Sequence, residues 1–228
     1  QGFVCLSPEA SKLTFVQFDR LGTMSVDNWR LTGAVTFYNA KVLLSNCRFS
    51  NNHCEDALNT IRCQVQMENC RVENTQSDGF DADFCSVYVS NSTFINTGND
   101  CIDFSGSTAK IEGCSILNSG DKGISGGEDS DLVLKNCTIN GAKIAVASKD
   151  KSQVTVYSIK IEKAEIAYAA YRKKAEYGPA FLEVRSENQN NAQTLHLLEK
   201  GSELEYKGKT YFGKEIFNID EMYAEFSK

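Results

Sequence analysis

The chain has 228 residues, of which 41% are hydrophobic, and its formal net charge is −6 at pH 7. No apolar run approaches the roughly 20 residues of a membrane-spanning helix, so we expect no transmembrane segment. The negative charge, without a cluster of lysine or arginine, argues against nucleic acid as the main partner, because phosphate contacts supply most of that affinity.

A sequence repeat of about 22 residues runs through most of the chain. One register reads Asn-Cys-Arg-Phe or a variant of it, and its second position falls at 47, 70, 92, 114 and 137. Apolar residues two positions apart recur with the same period, as in Val65/Met67 and Val87/Val89, and this alternation is typical of a β-strand. Periods of about 20 to 50 residues indicate stacked units that cannot bury a core alone.

Each repeat offers three short strand-like pieces, separated by asparagine, serine, glycine and aspartate. These residues favour tight turns, whereas the regular leucine frame of leucine-rich repeats is absent. We therefore predict an all-β fold, a single-stranded parallel β-helix of about seven coils, in which each coil pairs with the next.

The periodicity also suggests how the chain is divided. Residues 1–185 are predicted to form the solenoid, and residues 186–228 a capping segment of the same structural domain. The cap would contain a hairpin around Lys207-Gly208 and a short helix, Asp220–Phe226, with Asp220 as its N-cap. Such a cap is expected because an uncovered coil exposes unpaired strand edges.

Nine cysteines occur, and most of them follow the repeat. Four share one register: Cys47, Cys70, Cys114 and Cys137. Buried free cysteine behaves as a small hydrophobe, so we interpret these four as inward core packing. No pair has the Cys-x-x-Cys spacing of zinc or redox sites, and disulfides stay open as an alternative. We expect Cys5 and Cys54 to be the most exposed.

An acidic register is the most informative part of the chain. If Leu58, Phe80 and Ile102 point inward, the residues that follow them point outward from adjacent coils, about 5 Å apart. We predict that this outward side is a ligand-binding face. Its residues are Asn59, Asp78, Asp81, Asp83, Asp100, Asp103, Ser125, Glu128 and Lys149.

Carboxylates stacked on this face repel each other. Asp81 and Asp103 conflict unless a bound cation, a raised carboxyl pKa or a basic side chain intervenes. Lys122 occupies the register position one coil after Asp100, so we expect these two residues to form a pair. Lys149 is similarly expected to reach Glu128.

Three interpretations of the acidic face stay open. Asp81 and Asp103 could act as acid and base on a sugar, with Lys122 stabilising charge, as paired carboxylates do in glycoside hydrolysis. Asp81, Asp83 and Asp103 could instead hold calcium, the one cofactor that the pattern suggests. The third interpretation is a structural or binding ladder.

Several motifs in order resemble the right-handed parallel β-helix proteins of the pectin-lyase-like superfamily, and most narrowly the β-helix domains associated with bacterial CotH-type proteins. They are Glu55–Asn59, Ser77–Phe84, Gly98–Ser107, Gly120–Ser125, Ala147–Asp150 and Lys173–Pro179. The resemblance implies a right-handed helix, a secreted or cell-surface setting outside the cytoplasm, and carbohydrate as the ligand class.

The chain departs from the enzymes of that superfamily. The Gly-His-Gly and Arg-Ile-Lys motifs of polygalacturonase-like enzymes are absent. We therefore predict an extracytoplasmic protein that binds a polysaccharide or cell-surface glycan, or presents a surface to it, without catalysis. The alternative is a polysaccharide lyase, hydrolase or epimerase that uses the outward aspartates, with assistance from a cation.

Overall fold

A computed structural model of the protein describes residues 1–26, 28–219 and 221–222. They form an all-β parallel solenoid of about eight turns, so the predicted fold class is confirmed and the stack is one turn longer than the periodicity indicated. Within the described residues, no helix is long and apolar enough to cross a bilayer.

Each turn contributes one strand to each of three parallel faces. Face 1 contains β2 (Ala10–Thr14), β7 (Lys41–Ser45), β10 (Gln64–Glu68), β13 (Ser86–Ser90), β16 (Thr108–Glu112), β19 (Asp131–Lys135), the beginnings of β21 (Gln153–Tyr171) and β22 (Phe181–Asn191), and β24 (Glu203–Tyr206). Face 2 contains β3 (Gln17–Asp19), β8 (Arg48–Ser50), β11 (Arg71–Thr75), β14 (Thr93–Thr97), β17 (Ser115–Ser119), the beginning of β20 (Thr138–Lys149), and later parts of β21 and β22.

Face 3 carries the acidic register. Its strands are β1 (Phe3–Cys5), β6 (Gly33–Tyr38), β9 (Asp56–Ile61), β12 (Asp78–Asp83), β15 (Ile102–Ser105), β18 (Lys122–Gly127), the ends of β20 and β21, and β23 (Thr194–Leu198). A separate antiparallel pair, β4 (Met24–Val26) and β5 (Trp29–Leu31), branches off in the first turn.

The interior is filled by stacks of equivalent apolar residues. Leu58, Phe80 and Ile102 are register partners on face 3 and are all fully buried. Phe49, Val72 and Phe94 form a corresponding stack on face 2. Because neighbouring parallel strands lie about 4.8 Å apart, each side chain packs directly on its equivalent in the next coil.

Asparagine recurs at the corners because the backbone there is left-handed. Asn46, Asn69, Asn91 and Asn136 have φ values between 48° and 53°, and Gly113 takes the same place with φ 65°. Asparagine and glycine adopt this conformation at lower cost than other residues. The corner therefore explains why asparagine, or glycine in one coil, precedes the cysteine or serine of this register.

The predicted inward packing of the cysteines is confirmed. Cys47, Cys70, Cys114 and Cys137 are each at most 2% exposed, and all nine cysteines are free. Cys54 was expected to be exposed, and this was wrong, because its thiol is buried and donates to the Asp56 carbonyl at 2.9 Å.

The last turns combine further parallel pairing with a hairpin. The Face 1 ladder continues through β24, and β24 pairs antiparallel with β25 (Lys209–Phe212) around Lys207 and Gly208, which have φ values of 50° and 79°. This is the predicted hairpin. The division at residue 185 stays a prediction, and most of the predicted helix Asp220–Phe226, including its N-cap Asp220, lies outside the described residues.

Candidate functional site

The outward side of face 3 holds a cavity of about 450 Å³, which we call the acidic cavity. Its lining is almost entirely polar: Glu55, Asp56, Asp78, Asp81, Asp83, Asn99, Asp100, Asp103, Ser105, Asp121, Lys122, Gly127, Glu128, Lys149, Asp150, Lys173 and Lys174. Carboxylates and ammonium groups from successive coils thus meet in one depression.

The predicted row of outward residues is present in the predicted register. Asn59, Asp81, Asp103 and Ser125 are successive partners on β9, β12, β15 and β18. Asp81 and Asp103 line the cavity, whereas Asn59 and Ser125 are buried beside it, at 3% and 0% exposure. Seven of the nine residues predicted for the ligand-binding face therefore line one cavity.

Carboxylates at the entrance to face 3 also bind the backbone of the next coil. The Asp78 Oδ1 atom accepts hydrogen bonds from Asn99 Nδ2 at 2.7 Å and from the Asp100 amide at 3.0 Å. Asp100 Oδ1 in turn accepts from the Lys122 amide at 2.9 Å. These aspartates stabilise the corners, so part of the acidic character is structural.

Lys122 is held by two carboxylates. Its ammonium lies 3.3 Å from Asp100 Oδ1 and also contacts Asp121 Oδ2. The expected pair with Asp100 is therefore confirmed. The lysine side chain is only 3% exposed, so its charge is used within the protein and is poorly placed to approach a ligand.

Lys149 reaches a different partner from the one expected. Its ammonium lies 3.2 Å from Asp103 Oδ1, whereas Glu128 pairs with Lys174. Lys149 passes Gly127 on its way to the earlier coil, and a Cβ atom there would lie 3.3 Å from Lys149 Cε, a tight contact.

The pKa values of the two central carboxyls, Asp81 and Asp103, shift in opposite directions. Burial, and then the charges of Asp83, Asp56 and Asp103, raises the pKa of Asp81 well above its usual value. For Asp103, burial opposes ionisation, but Lys149, Lys122 and the Ser125 hydroxyl outweigh it and lower the pKa. Adjacent positions in one row therefore hold one carboxyl that keeps its proton to higher pH and one that ionises more readily.

Four other carboxyls of the cavity have raised pKa values, as Asp81 does. Burial raises the pKa of Asp78 to about 7, with help from the Asp100 charge, and it raises the pKa of Asp56 to about 6. The pKa of Asp83 is raised by burial and by the charges of Glu128 and Asp103, which outweigh Lys174. Burial also raises the pKa of Asp100 despite Lys122 beside it.

The proposed calcium ligands do not form a ready-made metal site. Among the described residues, no three histidine, cysteine, aspartate or glutamate side chains converge as a metal-ligand group. Calcium prefers six to eight oxygen ligands at about 2.3–2.6 Å. Binding of calcium by Asp81, Asp83 and Asp103 therefore stays a prediction.

Some lining residues were absent from the predicted face. Asp121 follows the repeat, since it lies 22 residues after Asn99, and its register could have identified it. Lys173 and Lys174 lie in the segment between β21 and β22, where the period has ended, so no periodic signal pointed to them.

The fold and the cavity define a parallel β-helix protein with an acidic outer face. A family model described as the right handed beta helix region matches residues 24–110 and 82–213. The chain belongs to this family, in agreement with the right-handed helix that the resemblance implied.

Comparison with solved structures finds distant similarity to the tailspike protein gp49 from Pseudomonas phage LKA1. The identity is 12% and the TM-score 0.31, with 90% of this chain and 47% of the tailspike chain covered. The chain thus spans about half the length of that protein. No curated protein sequence matches significantly.

Proposed function

We propose that the protein binds carbohydrate in the acidic cavity without transforming it. The observation that carries the proposal is a cavity of about 450 Å³ in which carboxyl, amide, hydroxyl and ammonium groups converge. Ligand pockets commonly have volumes of about 300–1,000 Å³ and orient their ligands with a few polar groups. Sugar hydroxyls both donate and accept, so they suit a lining that mixes carboxyl, amide, hydroxyl and ammonium groups.

Two exposed aromatic residues lie near the acidic row of face 3 in sequence or in register. Phe84 is 54% exposed and directly follows Asp83, and Tyr38 is 43% exposed. Tyr38 and Asp83 belong to one row of face 3, since Ile61 is the register partner of both. Rings beside polar groups offer an apolar surface for the C–H faces of a sugar.

Binding is favoured over catalysis because two of the three candidate catalytic residues are occupied. Both oxygens of Asp103 face the Lys149 ammonium, at 3.2 and 3.3 Å. Lys122 is held by Asp100 and Asp121. Neither group is available to a substrate unless an ion pair breaks first.

A glycan array with the wild-type protein and two aromatic variants tests this proposal. We expect Phe84→Ala to weaken glycan binding by about tenfold, the equivalent of one lost stacking contact. Phe212→Ala is the matched control, because Phe212 is 61% exposed but lies in the C-terminal hairpin. An array without any bound glycan would overturn the proposal.

A second candidate is a polysaccharide lyase, hydrolase or epimerase. The opposed pKa shifts of Asp81 and Asp103 favour it, because such pairs mark acid and base roles in many enzymes. Screening acidic and neutral polysaccharides, with and without calcium, for reducing ends, unsaturated products or epimerised sugars tests it. Loss of that activity in Asp81→Asn would support a catalytic function, whereas a panel in which no polysaccharide yields any of these products would reject it.

The proposal includes a secreted or cell-surface setting outside the cytoplasm, as the resemblance implies. Eight of the nine thiols are buried, and buried structural cysteines are chemically inert, so an oxidising setting is compatible with them. Fractionation of the native host tests this. Protein confined to the cytoplasm would contradict it.

A further inference from the structure

The acidic cavity contains more carboxyl groups than cations. Ten of its lining residues are acidic, whereas four are lysines. Three of those lysines form salt bridges that engage Asp100 and Asp121, Asp103, and Glu128, all in the later coils of the cavity. The excess of negative charge is therefore concentrated in the earlier coils.

Four carboxyls of β9 and β12 form the part of the cavity that these salt bridges do not reach. We call Asp56, Asp78, Asp81 and Asp83 the aspartate quartet. Asp81 Oδ2 accepts a hydrogen bond from the neutral Asn59 amide at 2.9 Å. Ionisation of one carboxyl of the quartet disfavours ionisation of its neighbours, and a bound cation would relieve that repulsion.

An unsatisfied atom elsewhere in the same cavity points independently to a missing donor. Asp121 is 7% exposed, and among the described residues its buried Oδ1 atom has no hydrogen-bond partner, while Oδ2 contacts Lys122. Buried acceptors are almost always satisfied in folded proteins. The Asp121 carboxyl therefore retains acceptor capacity for an N–H donor that reaches it from the cavity.

We propose that the carbohydrate is an amino sugar polymer whose protonated amines bind the aspartate quartet. This inference rests on the proposed function, because it names the sugar class for the same cavity. The protein already uses the required chemistry, since Lys122 and Lys149 place ammonium groups against the carboxylates of the later coils. A ligand ammonium would continue this pattern into the earlier coils.

An ammonium group fits the quartet better than a metal ion or an acidic sugar. Its three N–H donors bond to separate carboxylates, whereas calcium requires about six to eight oxygen ligands, and among the described residues no three histidine, cysteine, aspartate or glutamate side chains are placed to hold a metal ion. A uronic acid would add negative charge to a cavity that already has an excess. A basic peptide shares the ammonium chemistry but has no sugar ring for Phe84 and Tyr38.

Isothermal titration calorimetry tests the inference with four probes: a glucosamine hexamer, its fully N-acetylated counterpart, a galacturonate hexamer and a lysine hexamer. The two glucosamine probes share backbone and linkage and differ in charge. We expect the glucosamine hexamer to bind at least about tenfold more tightly than each of the others, the effect of one charge-assisted hydrogen bond.

Two double variants then locate the binding. Asp81→Asn/Asp83→Asn is expected to weaken glucosamine binding at least about tenfold. Asp129→Asn/Asp131→Asn removes the same number of charges from exposed positions outside the cavity and is expected to leave binding unchanged. Unfolding curves establish that both variants fold.

The outcomes separate this inference from the proposed function. If the acetylated or the galacturonate hexamer binds more tightly than the glucosamine hexamer, the ligand is not an amino sugar, but the proposal of carbohydrate binding stands. If the lysine hexamer binds as tightly as the glucosamine hexamer, the ligand is a basic peptide rather than a sugar. If no sugar binds in the titration or on the array, both proposals are rejected. If the Asp81→Asn/Asp83→Asn variant binds the glucosamine hexamer with unchanged affinity, the ligand does not bind at the aspartate quartet.

Discussion

Two stacks in this molecule share one geometry and differ in their chemistry. At the corner between face 3 and face 1, the Cys63 amide donates to Cys85 Sγ at 3.2 Å, and the Cys85 amide donates to Ser107 Oγ at 2.8 Å. Each side chain satisfies the backbone of the coil before it. On face 3, Asp81 stacks on Asp103 with the same spacing, and the two groups repel.

The difference lies in what each group can donate. Hydroxyls, thiols and amides donate and accept, so identical neighbours bond to one another, whereas ionised carboxylates only accept. The ladder of Asn51, Asn74, Asn96 and Asn118 shows this, with amide bonds of 3.0 to 3.2 Å between neighbours. A carboxylate stack needs a proton or a cation, and this requirement is what a ligand could satisfy.

We expect the largest loss of unfolding free energy when the lysine that neutralises Asp103 is replaced. Lys149→Met leaves the mostly buried Asp103 carboxyl without its partner, and breaking such pairs costs about 3–5 kcal/mol. Chemical denaturation measures the loss of unfolding free energy. Lys151→Met is the control, because Lys151 pairs with Asp129 at an exposed site, where a pair contributes about 0–1 kcal/mol. Equal losses would contradict the role assigned to Lys149.

The next effect depends on pH. Because burial, assisted by Asp100, raises the pKa of Asp78 from 3.8 to about 7, the folded protein keeps a proton that the unfolded chain loses over this range. The stabilisation is fully present below about pH 4 and is lost as the pH rises through about 7. Asp78→Asn should therefore increase the unfolding free energy by about 2–4 kcal/mol at pH 8 and change it little at pH 4.

The control for this pH dependence is Asp131→Asn, which alters an exposed aspartate on face 1. We expect it to change the unfolding free energy by no more than about 0.5 kcal/mol at either pH. If Asp78→Asn shifts stability equally at pH 4 and pH 8, titration of Asp78 is not the cause.

We expect a smaller loss of unfolding free energy from changes in the stack of Cys63, Cys85 and Ser107. Cys85→Ala leaves the Cys63 amide without its acceptor, and an unsatisfied buried donor costs about 1–3 kcal/mol. Cys85→Ser should cost less than about 1 kcal/mol, because Ser107 and Ser130 fill the same position in later coils. Thermal and chemical unfolding of both variants compare the two, and equal destabilisation would show that volume, rather than hydrogen bonding, decides.

The smallest effect concerns the exposed asparagine ladder. Asn96→Gly keeps the left-handed backbone at φ 55° but removes both side-chain bonds, at a cost of about 1 kcal/mol. Asn96→Ala removes the same bonds and adds the left-handed strain of about 1–2 kcal/mol. Unfolding free energies that are equal for glycine and alanine would contradict the conformational part of this explanation.

Periodicity predicted whatever repeats in every coil. The fold class, the inward cysteines, the Asp81–Asp103 row and the Asp100–Lys122 pair all depend on register between adjacent coils. Lys149 was assigned the wrong partner because it reaches back over Gly127 to Asp103, beyond its immediate neighbour. The role of Lys174 could not be predicted, since it enters the site from a segment outside the repeat. Burial of Cys54 depends on the local path of a corner.

The most direct test of the central claim combines stability and binding in the single variant Asp81→Asn. If the Asp81 carboxyl serves a ligand rather than the fold, the unfolding free energy at pH 8 stays equal or increases, while affinity for the glucosamine hexamer falls at least about tenfold. Decreased stability with unchanged affinity would contradict the account.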